Sequence, residues 1–118
     1  MNELLTHTNQ LLQLNEQLDS IYENVKETGE SPDFFETVKP HADQVRDVLE
    51  VWEVHVLEWI AKTKPKYFHK QQVENLKENI TAVSVQAFFP ATSKKRFKEL
   101  IRSNQYNLES IVQKIETK

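Results

Sequence analysis

The chain contains no cysteine, and its 118 residues include one glycine, four prolines and one methionine. The lack of cysteine excludes disulfides, thiolate nucleophiles and cysteine metal sites. So little glycine and proline leaves scant material for the tight turns of an all-strand fold, and a lone glycine cannot build a phosphate-cradling loop. No apolar run approaches the roughly 18 residues of a membrane span. The opening MNELLTHTNQLLQLNEQL also lacks the basic start and unbroken apolar stretch of a secretory leader. The expectation is a soluble cytoplasmic protein with no membrane association, folded as one domain over 1–118.

What is abundant is charge, unevenly placed. Residues 1–60 carry 13 acids against Lys26, Lys39 and Arg46, whereas residues 61–118 carry 12 bases against five acids; the formal net charge is -3. An acidic half and a basic half either mark a partner surface or favour docking of one half on the other.

Apolar periodicity points to helices. Over Asp33 to Ile60, the residues Phe34, Val38, Ala42, Val45, Val48, Leu49, Trp52, Val56 and Trp59 recur at steps of three and four, which stacks them on one helical face. Leu4, Leu11, Leu18, Tyr22 and Val25 form such a stripe over about residues 2–27, flanked by Leu5, Leu12, Leu14 and Ile21. A third helix is expected over about 69–89 with Val73, Leu76, Ile80, Val83, Ser84 and Ala87 inward. A fourth is expected over about 94–116 with Phe97, Leu100, Ile101, Asn104, Leu108, Ile111 and Ile115 inward. Gly29, Ser31-Pro32, Lys64-Pro65 and Pro90 punctuate the chain between them. Short connections favour antiparallel neighbours, so the expected fold is an all-α, up-down-up-down four-helix bundle. Pro40 has no N–H and its ring clashes with the carbonyl four residues back. The second helix is therefore expected either to kink or to restart near Lys39 with its phase kept.

The pieces Asp33-Phe34-Phe35-Glu36-Thr37, Lys39-Pro40, Pro65-Lys66-Tyr67 with His69, and Lys95-Arg96-Phe97-Lys98 resemble, in this order, the YppE-like family of small bacterial proteins. The resemblance spans nearly the whole chain. It implies a cytoplasmic four-helix bundle from a Gram-positive bacterium, and it carries over no mechanism, because that family has no assigned catalytic residues.

Chemistry-bearing constellations are sparse. Bundle di-iron sites use Glu-x-x-His, and neither that motif nor Asp-x-x-His occurs. His41 and His55 lie fourteen residues apart on one helix, about 21 Å at 1.5 Å per residue, too far to share a metal. The serines have neither a glycine-rich elbow nor an obvious base. No cofactor, no metal and no enzymatic activity are expected, and a role in protein interaction is.

Two kinds of surface could serve it. Val54, Leu57, Val85, Phe89 and Tyr106 fall off the core stripes at 100° per residue and are the candidate patch, for an unknown protein partner or for a weak symmetric dimer. Lys64, Lys66 and Lys70, with Lys62, and then Lys94, Lys95, Arg96 and Lys98 are candidate contacts for an anion or acidic partner. The second group opposes the dipole of the helix it opens. A nucleic-acid module using the basic half is the alternative reading. The two clusters belong at opposite bundle ends, however, so solvated helix ends account for them more simply. Finally, Asn15 and Asn104 sit mid-helix on inward stripes, at similar heights if the first and last helices are antiparallel neighbours, and are expected to hydrogen-bond there.

Overall fold

The computed structural model describes residues 2–116, with α1 at Glu3–Thr28, α2 at Lys39–Thr63, α3 at Lys70–Gln86 and α4 at Lys94–Glu116. Local chemistry sets most of these bounds. Asn2 caps α1 by accepting from the Leu5 N–H at 3.0 Å, and Gly29 ends it at φ 73° with its N–H on the Val25 carbonyl. That left-handed conformation is open to glycine without a Cβ penalty. The His69 N–H is taken up by the Gln72 side chain at 2.8 Å, one half of a capping box at the start of α3.

Ahead of α2 lies a π-helical turn, Phe34–Val38, entered through Asp33, whose carboxylate accepts from the Glu36 N–H at 2.8 Å. The Lys39 N–H bonds the Phe34 carbonyl five residues back, the π spacing. Pro40 follows in the first turn of α2, where it has no N–H to give and an α-register would set its ring against the carbonyl four residues earlier. The π spacing relaxes the α-register immediately before that proline.

Cross-helix contacts give the directions of the helices. Asn15, Asp19 and Tyr22 of α1 bond Asn104, Lys98 and the Thr92 carbonyl, so rising numbers on one strand of the pair meet falling numbers on the other. Thr8 meets Trp52 and Glu3 meets His55 between α1 and α2, and Glu53 meets Lys77 between α2 and α3. The bundle measures 46 × 26 × 21 Å.

Its interior divides into two apolar clusters. The lower one gathers Leu11, Leu49, Trp52, Val56, Leu76 and Leu108, and the upper one Leu18, Tyr22, Val38, Val83, Phe88 and Phe97. The stripes expected for α1, α3 and α4 are the buried faces seen here. Three positions differ from expectation. Phe34, expected inward, is exposed, because the π-turn shifts its phase relative to α2. Helix α3 stops at Gln86, and Phe88 in the following turn swings into the core. Phe68, just ahead of α3, is also buried, with its ring 6.3 Å from that of Trp59.

Candidate interaction surface

The upper end of the bundle carries the most unusual surface. Phe34 and Phe35 are 50% and 74% exposed, and they hold each other edge to face with ring centroids 5.2 Å apart. Phe68, Phe88 and Phe97 are buried, whereas the π-turn presents two adjacent exposed phenylalanines that touch each other. Consecutive residues on a helical turn diverge by about 100°. Phe34 and Phe35 therefore point in different directions, and neither is buried.

The π-turn that carries this pair also contributes Thr37 to a cleft of about 370 Å³, whose lining includes Ile21, Val25, Pro32, His41 and Phe88. A second groove, of about 530 Å³, continues along α1 past Gln17 and Ser20 and shares Ile21 and His41 with the first. His41 thus stands between the two. Its ring lies edge-on to Phe88 at 5.7 Å, and neither ring nitrogen is exposed or has a hydrogen-bond partner among the described residues. Burial lowers its pKa below the usual histidine value, because an imidazolium there would lose its hydration. With neither carboxylate nor hydroxyl partner among the described residues, it lacks the arrangement of a general base held by an orienting acid.

The residues singled out from sequence fall elsewhere. Val54, Val85, Phe89 and Tyr106 are exposed, but Leu57 is half-buried against the lower cluster and leaves the candidate patch. Val54 adjoins Glu53, which pairs with Lys77, and Val85 stands eight residues beyond Lys77, about 12 Å along α3. Tyr106 is on α4, which packs on α1 and α3. These exposed residues come from α2, α3, the turn that follows α3, and α4.

Of the basic residues, Lys64, Lys66, Lys70, Lys94, Lys95 and Arg96 are exposed. Lys98 is not a free contact, since its ammonium bridges Asp19 and Glu23 of α1. Burial works against its charge, but the hydrogen bonds and fields of the two carboxylates outweigh that and raise its pKa. The hydrogen bond from Lys98, reinforced by its charge, holds Glu23 below the usual carboxylate range. At this point the acidic half docks on the basic half. Among the described residues, no group of three or more histidines and carboxylates is placed to hold a metal, and no helix is long and apolar enough to cross a membrane.

The geometry is that of a small helical bundle with an aromatic, cleft-bearing end. The chain belongs to the family described as a bacterial domain of unknown function (DUF1798), whose model matches residues 8–115. It is 34% identical to the uncharacterized protein YppE of Bacillus subtilis over 112 residues, 95% of this chain and 91% of that one. The crystal structure of that protein superposes with a TM-score of 0.88 over the same shares. A Listeria innocua protein of unknown function, 26% identical, gives 0.89 over 94% of this chain and 89% of that one. A Staphylococcus aureus member of the DUF1798 family, 30% identical, gives 0.87 over 93% of each.

Proposed function

We propose that this protein is a non-enzymatic binding module that engages a protein partner through the π-turn end of the bundle. The observation that carries the reading is the exposed Phe34–Phe35 pair on the turn whose Thr37 lines the Ile21–His41–Phe88 cleft. Exposed aromatic anchors next to a preformed apolar recess supply large contact area at little ordering cost, which is how interface hot spots are built. π-Helical turns are also frequent at functional sites. The nucleic-acid alternative loses support from Lys98, whose charge is already occupied by α1.

The test is site-directed photocrosslinking in a Gram-positive host, with a benzophenone side chain at position 35 and, as control, at position 106. A discrete protein adduct at 35 that disappears with Phe34→Ser is the expected result. An adduct of twice the chain mass identifies a second copy as the partner. Adducts at 106 alone would move the surface to α4 and defeat the proposal.

A further inference from the structure

The opposite end of the bundle holds another cleft, of about 510 Å³, between the start of α1, the α2–α3 connection and the last turn of α4. Its cationic side is Lys62, Lys66 and Lys114, and Trp59, Pro65 and Ile115 provide apolar wall. Sequence alone grouped Lys62 and Lys66; Lys114, about fifty residues further on, joins them only in the folded bundle. Lys66 is carried on a connection whose backbone is left-handed at Lys64, φ 46°, and at Tyr67, φ 65°, on either side of it. Among the described residues that line this cleft there is no acid. Glu3 and Glu58 line an adjoining groove that shares Asn2, Trp59 and Lys62 with this one, and there Glu3 pairs with His55 at 3.2 Å.

We propose that this cleft binds a small organic anion with an apolar body, its carboxylate, sulfonate or phosphate held by the lysines and its ring or short chain laid against Trp59. Lysines in the last turns of α2 and α4 complement the helix dipoles, which explains Lys62 and Lys114 taken singly. Dipole complementarity does not explain Lys66, which follows the end of α2, nor the indole wall beside the three charges. Like charges around one recess repel one another until an anion enters. The volume lies within the roughly 300–1,000 Å³ of small-ligand sites, and a mostly apolar recess with a few convergent polar groups is their usual composition. This site is independent of the π-turn surface.

The probe is 8-anilinonaphthalene-1-sulfonate, titrated into the full chain while its fluorescence and the quenching of tryptophan emission are followed. Saturable binding is expected, with the dissociation constant raised about tenfold or more by Lys62→Gln with Lys66→Gln. Lys94→Gln with Lys95→Gln removes the same charge from the other end and is expected to leave binding unchanged, as is Phe35→Ser. The uncharged analogue N-phenyl-1-naphthylamine is expected to bind at least about tenfold more weakly. Equal losses in the two lysine pairs, equal affinity for the uncharged analogue, or no saturable binding overturns the proposal. Displacement of the probe by an equal concentration of inorganic phosphate would remove the apolar wall from it and overturn it too. The lysines replaced are exposed, and circular dichroism checks that each variant is folded.

Discussion

The Asn104 side-chain amide donates to the Asn15 Oδ1 at 3.2 Å, while Asn15 Nδ2 donates to the Ile101 carbonyl at 3.0 Å. Both side chains are buried. The pair lies at the junction of the two apolar clusters, since Leu14 and Leu108 belong to the lower and Leu18 and Ile101 to the upper. A polar layer there tolerates one pairing height of α1 against α4, because a slip of a turn would strand both amides in hydrocarbon. Asn104 Oδ1 has no partner among the described residues, so part of the layer's polar cost is uncompensated.

Asn15→Leu should therefore destabilise by about 1–3 kcal/mol, the cost of leaving the Asn104 amide buried without its acceptor. Adding Asn104→Leu should recover most of that loss, because the orphaned group goes with it. Urea denaturation of the two singles and the double measures the coupling. Additive losses would mean that the amides act separately.

Trp52 is wholly buried and its Nε1 donates to Thr8 Oγ1 at 3.1 Å; that hydroxyl donates in turn to the Leu4 carbonyl at 2.7 Å. Thr8→Val keeps the volume and orphans the indole N–H, for an expected loss of about 1–3 kcal/mol. Thr8→Ser keeps the acceptor and should cost about 0.8 kcal/mol for the methyl group. A valine variant as stable as the unsubstituted protein would show that the bond contributes nothing.

The Lys98 bridge has a definite pH signature. Glu23 has a folded pKa below its ordinary value, so its contribution is present above the unfolded pKa and is lost as pH falls through the folded one. Lys98 has a raised folded pKa, so its contribution is complete below the unfolded lysine value and is lost as pH rises through the folded one. In Lys98→Met the Glu23 carboxyl should titrate at its ordinary value, as followed by NMR of the side-chain carbon.

His41 works in the acid direction for another reason. Burial depresses its folded pKa, so the neutral ring's stability advantage is present above the unfolded histidine value and fades as pH falls toward the folded one. His41→Leu should flatten the part of the stability profile that lies below the unfolded histidine value. Unchanged steepness in the variant would assign the dependence to other groups.

Phe34→Ser and Phe35→Ser should each change stability by no more than about 0.5 kcal/mol, as exposed positions do. Phe88→Ala should cost about 3–5 kcal/mol, since its ring fills the upper cluster. Thermal unfolding separates the two cases. A large loss at Phe34 would restore it to the core.

How much of this was legible in the sequence depends on whether the cause is local. The four helices, their inward stripes and the Gly29 cap follow from side-chain period and turn chemistry within a few residues, whereas α3 stops at Gln86, short of the expected stop at Pro90. The Asn15–Asn104 bond was also legible, because helical phase and length put both amides inward at one height. Tertiary structure alone turned Phe34 outward, since a single π-turn changes a phase that simple periodicity carries through. It alone buried Phe68 and Phe88, tied Lys98 to Asp19 and Glu23, and gathered Lys114 with Lys62 and Lys66 beside Trp59. Those relationships join residues many turns or whole helices apart, and a pattern of period three and four states which face is buried without stating what will stand opposite it.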